Sequence, residues 1–161
     1  MAGYKEALQE FYSGEVLGEA LYSALFVLAA GDDERLKMAT LLQLETETKA
    51  WLRPHLLAAG LSIAEETSDR DRGAAFAGYF GSLPWSERLG GLRALVLDQV
   101  VPRYRALAQE AQQRGAGGEE ELCRYMIDHE LAQVDFIERE LAGEANPLAP
   151  LERLLRYPLA L

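Results

Sequence analysis

One cysteine, two histidines and no apolar run of membrane-spanning length set the first limits on this 161-residue chain. Cys123 by itself excludes an intrachain disulfide framework and a cysteine-rich zinc or iron–sulfur site. No stretch approaches the roughly 18 apolar residues that a membrane span requires, so no membrane association is expected. The opening residues, Met-Ala-Gly-Tyr-Lys-Glu, lack a basic region followed by an apolar run, and a cytoplasmic location is expected. Cations are also scarce, with 16 Lys and Arg against 26 Asp and Glu, a formal charge of -10. Counterion release needs clustered basic residues, so nucleic acid is not an expected partner. There is no phosphate-binding glycine loop and no dinucleotide fingerprint. Alternating patterns typical of strands are missing as well.

What is present is an ordinary globular balance, 49% hydrophobic and 26% charged, arranged with helical period. One domain is expected over 1–161, with a core at about 4–142 and a C-terminal extension at about 143–161. Four long helices are predicted. The first, from Tyr4 to about Ala30, carries Leu8, Phe11, Glu15, Gly18, Tyr22 and Leu25 on one stripe. The second, Asp33 to about Ala59, carries Met38, Leu41, Glu45, Thr48, Leu52 and His55, with Pro54 expected to kink its last turns. The third runs from Ser86 to about Gln113, through Leu89, Leu92, Val96, Gln99 and Leu107. The fourth, Glu119 to about Ala142, has Leu122, Met126, Glu130, Gln133, Ile137 and Leu141. Residues 60–85 form a long connection between the two helical pairs, expected to contain a helical turn or two. A short helical stretch is expected at Leu151–Arg156. Short turns at both ends and one long crossover predict an all-α four-helix bundle.

Three of these stripes place a carboxylate where the core should be: Glu15, Glu45 and Glu130. Removing an unpaired carboxylate from water costs several kcal/mol or more, so each demands a partner. Thr48 and Gln133 lie three residues beyond Glu45 and Glu130, Tyr22 lies two turns beyond Glu15, and Gln99 sits on the third stripe. Together they predict one polar layer across an apolar core.

The segments Phe11-x-x-Gly14-Glu15 with Tyr22, Leu44-Glu45-Thr46-Glu47-Thr48, and His129-Glu130-Leu131-Ala132-Gln133 with Phe136 and Glu138 resemble the helix motifs of the ferritin-like carboxylate-bridged di-iron superfamily. That superfamily includes rubrerythrins and the aldehyde-deformylating oxygenases. The likeness covers about residues 8–142 and includes the thirty-residue separation of Glu15 and Glu45. It implies a ferritin-like bundle with metal ligands at Glu15, Glu45 and Glu130, and with a helix-three carboxylate for which only Asp98 is available. The family pattern of Glu-x-x-His on helices two and four is broken here, because Thr48 and Gln133 stand where the histidines belong.

Two readings of the layer follow. In one, the di-iron site is depleted, classical di-iron redox activity is lost, and the bundle binds a small apolar ligand or a partner, including a second copy as a homodimer. In the other, the remaining carboxylates hold a single ion, iron, manganese or magnesium, and with iron or manganese the protein is a metal-dependent oxidoreductase. Glu19 and Glu47 are expected on solvated helix faces, and Glu65–Asp71 on a solvated loop. His55 is expected at a helix end, and His129, about 100° around its helix from Glu130, between helices or at the surface. Trp51, Trp85, Phe76, Tyr79 and Phe80 are expected to pack the crossover down or to line a ligand tunnel, and Cys123 to be a small core residue.

Overall fold

In the computed structural model, which describes residues 3–158, the chain is all-helical and no strand occurs among the described residues. Helix α1 spans Tyr4–Leu28 and α2 spans Asp32–Ala58, and the two pack along their lengths as a hairpin. The stripe from Leu8 to Leu25 on α1 is buried throughout, including Glu15 and Gly18. Helix α2 runs on through Pro54, and the left-handed Gly60 (φ 72°) turns the chain out of it.

The connection is more ordered than its composition suggests. Thr67–Gly81 forms a full helix, α3, packed against α1. Gly73 permits this approach: a Cβ there would overlap the Leu17 carbonyl oxygen. The stretch before it is tied down by polar contacts. Tyr12 donates its hydroxyl to the Ile63 carbonyl at 2.8 Å, and buried Lys49 binds Glu19 at 2.7 Å and Glu65 at 2.6 Å. Glu65 is therefore an ion-pair hub and Asp69, which accepts from Ser13, is buried; neither belongs to the solvated loop expected from sequence.

Helix α4 (Trp85–Leu95) passes through a π turn at Val96–Val100 into α5 (Val101–Gln113). Pro102 explains the widened turn, since it cannot donate to Asp98 and its ring crowds that carbonyl. The bond that results runs from the Val101 N–H to the Val96 carbonyl, five residues back. Helix α6 (Gly117–Leu141) packs against α5, and a single turn, α7 (Ala149–Glu152), contacts α2 and α6. No helix among the described residues is long and apolar enough to cross a membrane.

The apolar core falls into two large clusters, with a small third of Val96, Val101 and Val134. Leu8, Phe11, Leu52, Leu56, Leu107 and Met126 belong to one cluster, and Leu25, Met38, Leu41, Leu44, Leu89 and Phe136 to the other. On α1, α2 and α6 alike, buried polar residues stand where the two large clusters meet: Glu15, Glu45 and Thr48, and His129, Glu130 and Gln133.

Candidate metal centre

At this boundary α1 contributes Glu15, α2 contributes Glu45 and Thr48, and α6 contributes His129, Glu130 and Gln133; all six side chains are buried. His129 occupies the middle. Its Nε2 lies 3.3 Å from Glu45 Oε1, 3.5 Å from Glu15 Oε1 and 4.0 Å from Glu130 Oε1. Its Nδ1 lies 3.2 Å from the Thr48 hydroxyl. A proton on Nδ1, donated to Thr48, leaves the Nε2 lone pair facing the carboxylates and the Gln133 amide at 3.2 Å. That is the tautomer a metal-ligating imidazole requires.

The histidine thus comes from a position that the Glu-x-x-His pattern does not mark. It is neither at the surface nor idle. Its signal was in the sequence: Leu122, Met126, His129, Gln133 and Phe136 alternate by four and three, and all five are buried. His129 and Glu130 straddle the inward direction of α6, so both reach the interior.

Hydrogen bonding satisfies one side of the layer. Tyr22 donates to Gln133 Oε1 at 2.6 Å, and Gln133 Nε2 donates to Glu45 Oε1 at 2.7 Å. The second oxygen of Glu15, Oε2, is buried with no partner among the described residues. Burial pushes the Glu15 carboxyl well above the usual range, helped by the charges of Glu45 and Glu130 and by a hydrogen bond with Glu45. Burial likewise raises Glu130 to about 7, partly opposed by His129. For His129, burial disfavours the charged ring, but Glu45, through charge and hydrogen bond, and Glu130 outweigh it and raise its pKa. Uncompensated carboxylate is in excess, and a cation is what would relieve it.

Two expected members of the layer are elsewhere. Asp98 and Gln99 are both exposed, because the π turn leaves Val96 and Val101, five residues apart, as its inward-facing ends. Asp98 lies on a shallow groove beside α3, away from the three glutamates, and Gln99 stands at the rim of a cavity rather than in the core. Glu19 is engaged by Lys49 and Thr46, and Glu47 by Gln43 and the Arg156 amide, so neither joins the cluster. His55 stacks edge-on against Trp51 near the end of α2. Cys123 is buried in the core.

One ligand atom from each of Glu15, Glu45 and His129 lies within 4.8 Å of the others, a spacing that fits one divalent ion. The orphaned Glu15 oxygen gives that fit an independent reason. The same residues do not fit a six-ligand two-metal site: they offer three carboxylates and one imidazole, and among the described residues no ligand group of α4, the π turn or α5 joins the cluster. Beside the cluster, a cavity of about 330 Å³ runs between α1, α3 and the π turn, with Glu45, Glu130 and Gln133 at its deep end. Phe76 lines it; Tyr79 and Phe80 line the neighbouring groove, and Trp51 and Trp85 line neither. Comparisons of the chain with protein-family models, curated proteins and solved structures return no match.

Proposed function

We propose that this protein is a ferritin-like helical bundle that binds one divalent transition-metal ion through Glu15, Glu45 and His129, with Glu130 beside it. What carries this is the convergence of ligand atoms from three buried side chains, with the second oxygen of Glu15 left without a partner among the described residues. The imidazole favours iron or manganese over magnesium, which prefers an all-oxygen shell. A bound ion of this type supplies Lewis acidity and, for iron or manganese, one-electron chemistry, which supports a metal-dependent oxidoreductase. The single imidazole argues against classical di-iron redox activity. Calorimetric titration of chelator-treated protein with Mn(II), Fe(II) and Mg(II), paired with elemental analysis, tests the reading. One equivalent of manganese or iron is expected; occupancy under about a tenth of an equivalent after anaerobic loading rejects it.

A second reading has its own support. The chain Tyr22 to Gln133 to Glu45, together with a proton shared between Glu15 and Glu45, satisfies much of the layer without any ion. On this reading the layer is a structural polar core. Full stability of Glu45→Gln in the absence of metal, with no metal uptake by wild type, selects it.

A further inference from the structure

The cavity beside the cluster has a polarity that selects its occupant. Its walls are aliphatic and aromatic, with Leu17 and Leu21 from α1, Phe76 from α3, Leu92 and Leu95 from α4, and Val96 from the π turn. Its volume of about 330 Å³ falls at the small end of the range for small-molecule sites. At the deep end Tyr22, Gln133 and Glu45 are hydrogen-bonded to one another, but Tyr104 is not. The Tyr104 side chain is 4% exposed, and its ring is fixed edge-on against Phe11 at a centroid distance of 4.7 Å. Its hydroxyl makes no hydrogen bond with any described residue. Gly14 keeps this hydroxyl accessible, since a Cβ there would stand 2.7 Å from the oxygen.

The Tyr104 ring is buried, and the hydroxyl it presents to the cavity has a proton to give to an acceptor there. The neighbouring carboxyl groups restrict which acceptor it is. An anionic head would be brought against Glu130 and Glu45, and the two arginines lining the cavity, Arg72 and Arg103, each face a carboxylate of their own. Arg103 is held by both oxygens of Glu10 at 2.7 and 2.9 Å, and Arg72 lies 3.8 Å from Asp69. An ammonium head would suit the carboxylates but offers Tyr104 no lone pair. A neutral hydroxyl or carbonyl meets both demands, accepting from Tyr104 and, if it is a hydroxyl, donating to Glu130.

We propose that this cavity is a binding site for a compact apolar molecule with a neutral hydroxyl or carbonyl head, seated on Tyr104. The site stands on the cavity and the phenol, and goes beyond the metal reading without depending on it. The test is calorimetric titration of the full chain with 2-phenylethanol, phenylacetate and 2-phenylethylamine, which share a body and differ in head charge. Each titration is run once after chelation and once with manganese, so that failure of metal binding is read separately from failure of this site. The alcohol is expected to bind in both, with the acid and the amine each at least about tenfold weaker. Tyr104→Phe, which keeps the ring, should weaken the alcohol about tenfold, and Leu17→Trp, which fills the cavity, should abolish binding. Circular dichroism confirms that each variant is folded. No binding of the alcohol, equal binding by wild type and Leu17→Trp, or tighter binding of the acid or amine overturns the proposal.

Discussion

The Nδ1 atom of His129 on α6 faces the hydroxyl of Thr48 on α2 at 3.2 Å, so a threonine of one helix orients a histidine that comes from another. This contact presents Nε2 to Glu15 and Glu45. Replacing Thr48 by Val keeps the shape and removes the hydrogen bond. Metal affinity is expected to fall about tenfold to a hundredfold, as for other partners that orient a ligand. His129→Ala should abolish stoichiometric uptake. Calorimetry with Mn(II) measures both, and uptake unchanged in His129→Ala would remove the imidazole from the site.

Glu15→Gln separates stability from binding. The native carboxyl buries an oxygen without a partner, whereas an amide can donate to Glu45 and carries no charge to desolvate. The metal-free variant is expected to be at least as stable as wild type and up to about 2 kcal/mol more so. It should also fail to take up metal. Urea denaturation of chelated protein and elemental analysis give the two readouts.

Gly18 on α1 lies against the Glu45 carboxylate so closely that a Cβ would overlap it. Alanine adds helix propensity, which favours the variant by about 1 kcal/mol, yet it must push Glu45 off its bond to Gln133. Overpacking of a pinned group costs about 1–3 kcal/mol, so Gly18→Ala is expected to be destabilised overall and to bind metal more weakly. Thermal melts with and without manganese decide this.

Glu130 makes the stability of the metal-free protein depend on pH. Its folded pKa is about 7, above its ordinary 4.5, because burial opposes ionisation. The folded state therefore holds a proton that the unfolded state has released, and this stabilisation is complete below the ordinary value and lost as pH rises through about 7. Relative to Glu130→Gln, wild type should lose about 3 kcal/mol between pH 4.5 and 8. Excess Mn(II) should flatten the difference. A gap between the two proteins that widens in favour of wild type with rising pH would contradict the burial argument.

Lys49 tests the clamp on the segment before α3. It is buried and binds Glu19 and Glu65, while Arg70 pairs with Glu65 from outside. Lys49→Met should cost about 2–3 kcal/mol and speed amide exchange in residues 61–66 while leaving metal uptake intact.

By itself the sequence determined that the chain is helical, where its long helices run, and that Glu15, Glu45 and Glu130 occupy inward stripes. Helical period and turn chemistry are local, and an apolar stripe with a carboxylate in it is visible without knowing the neighbours. Of the crossover only a helical turn or two was legible: the apolar face of α3 is short, Phe76, Ala77 and Phe80 beside Gly73, and the segment before it is held by long-range contacts from Lys49 and Tyr12. The displacement of Asp98 and Gln99 was not legible, since a π turn shifts every later residue around its helix by an amount that simple counting misses. Only the tertiary structure decided the role of His129. Two adjacent residues of one helix point about 100° apart, and whether both reach the interior depends on helices packed on either side of them. Here α1 and α2 supply carboxylates to the imidazole, and a residue that sequence alone left between helices or at the surface stands at the centre of the layer.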